Sequence, residues 1–202
     1  MKKIYLLLLA VLLLIPLNAA VGCDLNDPDK DVKRLFPGST GYKTYYRSLS
    51  KEGGKALLDK VEKRLGDKFT GLYETIDVPY TLYEVFKGKA RVGYIHGVNQ
   101  KGRYGGLQVF LVFDTKGAIT NMYMQKLSGK NSGSFKAAAF TNQFKGLTIK
   151  DFDTYDVIKQ SGSGKAARIN NPAPGDVDFH HIMRGVKKNL VLMEHFGSWG
   201  SL

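Results

Sequence analysis

Apolar residues are spread unevenly along the chain, and their spacing changes several times. Behind Met1-Lys2-Lys3 an apolar run covers 4–17 and gives way to small residues, Ala20-Val21-Gly22, before Cys23. A basic start, an apolar core of this length and small residues before a cut site make a secretory leader. The run is shorter than the roughly 20 residues needed to span a bilayer. Residues 24–34 are charged and lack an apolar period, which predicts a tether. Beyond Gly53-Gly54, the residues Leu57, Leu58, Val61 and Leu65 recur at helical spacing, with Lys55, Asp59, Lys60, Glu62 and Lys63 on the other face. From residue 80 the pattern becomes that of strands. Residues 80–86 are aromatic and branched, Lys87-Gly88-Lys89 reads as a turn, and 90–98 returns as the second arm of a hairpin. Residues 107–113 are apolar almost throughout, which predicts a strand inside a sheet. Asp114-Thr115-Lys116-Gly117 is a turn before a further strand over 118–127.

The second half alternates loops with short apolar groups. Residues 128–134 read as a Gly/Ser/Asn loop. Phe135, Ala138, Ala139 and Phe144 then fit one side of a short helix. Pro172 and Pro174 break the chain before a last helix, for which Asp176 or Asp178 serves as cap. Its apolar face is Phe179, Ile182, Val186, Leu190 and Met193, and Gly197 is its stop. No repeat of fixed period is present. The fold class expected is α+β, an antiparallel sheet over 80–127 flanked by helices near 55–65 and 178–195.

Cys23 is the single cysteine, so no internal disulfide is possible. The Ala-Val-Gly-Cys ending resembles the lipobox of bacterial lipoproteins. That resemblance implies lipidation of Cys23, removal of residues 1–22, and a cell-envelope protein held on a membrane by acyl chains worth about 0.8 kcal/mol per buried methylene. Asp24, next to the cysteine, resembles a signal for retention at the inner membrane. The layout is then a leader (1–22), a lipidated cysteine with its tether (23–34) and one domain (35–202). The mature part has 180 residues, enough for a real core. The leader carries only Lys2 and Lys3, so the mature net charge is +10 against +12 for the whole chain. A basic balance suits the neighbourhood of an anionic bilayer or a phosphate-bearing ligand. No aromatic-interleaved basic motif speaks for nucleic acid.

Several segments appear in a familiar order. Gly102-Arg103-Tyr104-Gly105-Gly106, the strand–turn–strand that follows it to 119, Phe140-Thr141-Asn142-Gln143-Phe144-Lys145-Gly146, and Gly93-Tyr94-Ile95 resemble the FMN-binding domains of periplasmic subunits in Rnf-type and sodium-translocating quinone reductase complexes. The resemblance spans about residues 35–195. It implies an FMN-binding-like fold, a role in electron transfer beside a membrane redox complex, and an isoalloxazine site shaped by Tyr104, Gly105 and Gly106. The family carries FMN on the threonine of a Ser-Gly-Ala-Thr motif. Here the stretch is Ser161-Gly162-Ser163-Gly164-Lys165, and Gly164 at the acceptor position has no hydroxyl. Covalent attachment is therefore not expected. Two readings follow. In one, Ser161 to Lys165 hold the phosphate of a non-covalent FMN through backbone N–H groups, with Lys165 and Arg168 supplying charge. In the other, the domain has lost flavin and serves as a non-redox scaffold or interaction lipoprotein.

Other chemistries find less support. Lys159 stands where a P-loop needs its first glycine, and Ala166 takes the place of the magnesium-binding hydroxyl. His180 and His181 are adjacent, not three or four apart as metal ligands on one helix face would be. No Gly-x-Ser-x-Gly elbow is present, and the one cysteine is assigned to lipid, so no catalytic residue is expected.

Overall fold

The computed structural model describes residues 22–197. The leader expected over 1–22 lies outside the described residues except for Gly22. Helix α1 (Pro28–Leu35) comes first and is followed by strand β1 (Gly41–Arg47). Helices α2 (Leu49–Glu52) and α3 (Gly54–Leu65) lead to β2 (Tyr80–Lys87), β3 (Ala90–Gly102), β4 (Gly105–Phe113) and β5 (Ile119–Lys126). The five strands form one antiparallel sheet in sequence order. Short helices α4 (Ser132–Lys136), α5 (Ala138–Thr141) and α6 (Ile149–Phe152) follow, then a two-stranded ribbon of β6 (Tyr155–Asp156) and β7 (Ser161–Gly162). The long helix α7 (Asp178–Phe196) ends the described chain. The architecture is α+β, with helices packed on a five-stranded antiparallel sheet.

Both faces of the sheet are covered. Leu107, Val109, Leu111 and Phe113 of β4 face α7, while Phe110 and Val112 face the opposite side, and all are buried. That is why the run over 107–113 does not alternate. On the α7 side the core includes Leu57, Val61 and Leu65 of α3 with Ile182, Val186, Leu190 and Met193 of α7. On the other side Val32 and Leu35 of α1 join Tyr83, Val85, Ile95 and Phe110. A Cβ on Gly97 would stand 2.4 Å from the Phe110 ring, so this glycine lets the ring lie flat across β3. Among the described residues the side chains of both cores fall within 23–196.

Residues 24–34 are not a tether. Asp27 caps α1, accepting the Lys30 N–H at 3.2 Å, and Pro28 fills the first turn. Asp29 and Asp31 lie in the first turn and Lys33 and Arg34 in the last, as the helix dipole favours. With only Val32 and Leu35 turned to the sheet, the charged segment shows no apolar period. Strand β1 was also unexpected. It is an edge strand of mixed exposure, Gly-Tyr-Lys-Thr-Tyr-Tyr-Arg, with only a partial alternation. The helix expected over 135–144 breaks at Ala137, whose ψ of 145° is extended. At the start of α7, Asp176 accepts the Asp178 N–H at 3.0 Å, whereas Asp178 turns to the β3–β4 hairpin.

α7 is locked to the sheet by an amide. Asn189 Nδ2 donates to the carbonyls of His96 (2.9 Å) and Val109 (3.1 Å). Its Oδ1 therefore faces His96 Nδ1 at 2.8 Å and accepts the ring N–H. His96 is fully buried. Burial pushes its pKa down to about 4, against the Asn189 bond that would raise it. The ring is neutral in both states at pH 7. Below its ordinary value of 6.5 the unfolded chain binds the proton first, so stability falls with pH down to about 4. The expected loss is about 1.4 kcal/mol per pH unit over that window. Urea midpoints at pH 7 and pH 5 should therefore separate less in His96→Gln than in the native chain; equal separations would contradict the assignment.

Candidate functional site

The glycine loop expected to hold phosphate is a surface feature. Tyr155 pairs with Gly162 and Asp156 with Ser161, and all residues from Ser161 to Lys165 are exposed. Asp156 Oδ1 accepts the N–H groups of Ile158 and Lys159, both at 2.9 Å, which folds the turn between the two strands. A Cβ on Gly162 would stand 2.2 Å from the Thr154 carbonyl oxygen, so packing alone requires glycine there. Gly164 has φ +77°, turning the chain toward the 3-10 segment Ala166–Arg168. The Thr154 hydroxyl donates to the Ser163 carbonyl at 2.8 Å. Lys165 Nζ lies 3.3 Å from Asp151 and its side chain stays largely in solvent. Burial works against ionisation of Asp151, but the Thr148 amide and hydroxyl together with Lys165 hold its carboxyl below the usual range. Behind the ribbon the buried Lys187 ammonium donates to the Tyr155 carbonyl at 2.7 Å.

After the loop the chain reaches Asn170 and Pro172, which with Ser134, Ala137, Phe140 and Gln143 line an open groove of about 540 Å³. Its floor is set by Gln143, whose amide binds both polar atoms of the Asn170 backbone, donating to the carbonyl (3.2 Å) and accepting from the N–H (2.8 Å). Phe140 packs edge-on to Phe135 and Phe144 beneath it. Arg168, exposed, is two residues from Asn170 at the groove's edge. Sequence reading found the Phe-x-x-Gln-Phe segment but not the groove, because its other wall is 27 residues away from Gln143.

Tyr104, Gly105 and Gly106 lie elsewhere, at the tip of the β3–β4 hairpin. The Tyr104 ring is 57% exposed, with the Arg103 guanidinium 5.5 Å from its centre and Gly129 pressed beneath it. Gly105 takes φ +109°, and a Cβ on Gly106 would meet the Tyr73 hydroxyl at 2.5 Å. The Arg103 N–H donates to Asp178 at 2.7 Å, at the first residue of α7, whereas the ribbon is bound at Lys187. Those two anchor points are about 13 Å apart along the helix axis. Gly164 offers no oxygen for a phosphoester, so covalent flavin does not fit. A non-covalent phosphate beside Lys165 and Arg168 does fit the charge of the loop.

A buried ionic cluster went unseen in the sequence because it joins the 66–79 loop to α7. Arg184 Nε donates to Asp67 (2.7 Å), and its terminal nitrogens bind both Glu74 oxygens, Gln100 and the Lys68 carbonyl. Lys188, fully buried, donates to Glu74 at 2.8 Å and to the Asn99 carbonyl. Burial pushes the Lys188 pKa down to about 8 in spite of Glu74. Burial would raise Glu74, but its two cations hold it below the carboxylate range. The guanidinium has all its donors engaged, so this cluster is an internal brace. Removing Glu74 strands a buried cation and should cost about 3–5 kcal/mol. Lys188→Met leaves Glu74 with Arg184 and should cost far less. Urea denaturation of Glu74→Gln and Lys188→Met checks the order; equal losses would refute it.

Cys23 is 2% exposed, and burial pushes its thiol well above the ordinary range. The segment around it is held by side chains across the sheet. Asn99 donates to the Gly22 carbonyl (2.8 Å), Gln108 to Asn99 (3.0 Å), and Gln125 to both Gln108 (3.0 Å) and the Asp24 carbonyl (2.8 Å). Thr81 donates to Asp24 Oδ1 (2.7 Å), and the Leu25 N–H donates to the Tyr83 hydroxyl (3.1 Å).

Among the described residues no group of three or more His, Cys, Asp or Glu side chains is placed to hold a metal ion. Among them, too, no helix is long and apolar enough to cross a membrane. No protein-family model and no curated protein sequence matches the chain.

Proposed function

We propose that the protein is a membrane-tethered, extracytoplasmic domain of FMN-binding-like type. It serves a membrane redox complex and holds its flavin without a covalent bond. The observation that supports this most is an open groove of about 540 Å³ whose Asn170 wall follows an exposed, cation-bearing glycine loop in the chain. That volume lies in the range of small-molecule sites, roughly 300–1,000 Å³. Phe140 gives the groove an apolar wall for a planar ring, and the Gln143 amide fixes its polar floor. Lys165 and Arg168 offer positive charge to a phosphate. A flavin brings its own redox chemistry when bound, and the residues named here bind and orient it. The ring site moves from the hairpin of Tyr104, Gly105 and Gly106 to the groove.

The tether is acylated Cys23. Acyl chains on its sulfur need a path to solvent, so Cys23 and Asp24 must lift from the sheet in the mature protein. Cleavage removes Gly22 and its bond to Asn99, and lifting gives up the bonds of Asp24 to Thr81 and Gln125, each worth about 1 kcal/mol. The Leu25 bond to Tyr83 and the packing of α1 stay in place.

A scaffold without flavin is the second reading. It is favoured by the internal partners of the loop, namely Thr154 on Ser163, Asp151 on Lys165, and the packing that requires Gly162. Titration with FMN, followed by quenching of flavin fluorescence, separates the two. Saturable quenching is expected, weakened roughly tenfold by Arg168→Ala through loss of a charged contact worth about 1.5 kcal/mol. No quenching with the native protein would leave the scaffold reading.

A further inference from the structure

One end of the sheet gathers features that the flavin site does not use. The β3–β4 hairpin tip carries Lys101, Arg103 and Tyr104, all exposed. Gly129 touches the Tyr104 ring, which brings the exposed Lys130 to the same tip. Two other exposed apolar side chains sit one residue from groups that touch this hairpin. Leu72, 62% exposed, precedes Tyr73, whose hydroxyl packs at Gly106. Val177, 44% exposed, precedes Asp178, which accepts the Arg103 N–H.

The carboxylates at this end are engaged, although Asp24 is exposed and Asp176 half-buried. Asp178 is buried on Arg103, and Asp176 is held by the Asn131 amide (2.8 Å) and the Asp178 N–H. Asp24 is engaged by Thr81. Three exposed cations, Lys101, Arg103 and Lys130, against the exposed Asp24 leave the outward surface net cationic, with apolar tips between the charges.

The described chain also begins at this end. Gly22 is bound by Asn99, three residues before Gly102 and so about 10 Å from the tip. From there the chain runs away from the tip, through Leu25 at Tyr83 to Phe36, which packs at Gly93. Twenty-one residues precede Gly22 in the sequence.

We propose that this end of the molecule docks on an anionic bilayer surface, with the β3–β4 hairpin lowered into the headgroups. Tyr104 sits at headgroup depth, where an aromatic with a polar tip is favoured. Lys101, Arg103 and Lys130 meet lipid phosphates. Leu72 and Val177 rest on the interface beside them. The inference rests on the membrane-tethered half of the reading above. It explains an exposed tyrosine between cations that the groove leaves without a task.

The test uses the chain from Gly22 to Leu202, which holds both cores and, made without its leader, bears no acyl group. Its partition is measured on phosphatidylcholine vesicles with and without phosphatidylglycerol. Binding is expected only with phosphatidylglycerol, and should weaken as salt is raised. Each cation near an anionic surface is worth about fivefold in partition, so replacing Lys101, Arg103 and Lys130 by Ala should lower it about a hundredfold. Tyr104→Ala should lower it further, and Lys55→Ala with Lys60→Ala on the exposed face of α3 should lower it far less. Absence of binding to phosphatidylglycerol vesicles, or equal losses in the hairpin and α3 variants, overturns the proposal. Loss of the phosphatidylglycerol preference in favour of an acidic protein from the same membrane would overturn it too. Because this chain has no lipid, its failure to bind is separate from any failure of Cys23 to be acylated.

Discussion

The assembly depends on a column of polar groups on the buried side of α7. Arg184, Lys188 and Asn189 lie within two turns of one another and face the sheet and the 66–79 loop. An ammonium taken from water into this interior is tolerable only with a partner, and Glu74 supplies it to both cations. Asn189 spends its three polar contacts on His96 and Val109, which lie on the neighbouring strands β3 and β4. Hydrophobic burial brings α7 to the sheet, but it would allow many rotations of the helix. These directional bonds fix one, and with it the position of Asp178 at the hairpin and of Lys187 at the ribbon.

The opposite face obeys a different constraint. There the sheet is closed by the first described residues of the chain, whose backbone is bound by the amides of Asn99 and Gln125, with Gln108 linking the two. That ladder turns three neighbouring strands into a dock for an extended segment. The same segment carries Cys23. The tip of the β3–β4 hairpin, the start of the described chain and the cationic patch thus share one end of the sheet, while the glycine ribbon is bound farther along α7 at Lys187 and the groove wall Phe140 meets α7 at Phe179.

Much of the fold was legible before any coordinates. Strands β2 to β5 and helices α3 and α7 follow from periodicity and from turns such as Lys87-Gly88-Lys89, because each buries a full face and so writes a strong pattern. Helix α1 has only two apolar contacts and wrote none, yet Asp27-Pro28 and the order of its charges were readable as a capped start. Strand β1 lies at an edge, where half-exposed side chains blur alternation. The site was less legible for a physical reason. Ser161 to Lys165 were singled out by their resemblance to a Ser-Gly-Ala-Thr motif, but their glycines answer first to the Thr154 carbonyl and to the turn. The groove wall at Asn170 and the Glu74 brace arise from contacts between segments far apart in sequence, which no local pattern records.

The account turns on Cys23 as the point where the chain meets lipid. Mass spectrometry of the protein extracted from membranes, at the level of its first peptide, tests this directly. A chain beginning at Cys23 with acyl groups on that residue is the predicted result. An unmodified Cys23, whether inside a chain that keeps residues 1–22 or behind a cut at another position, would contradict it.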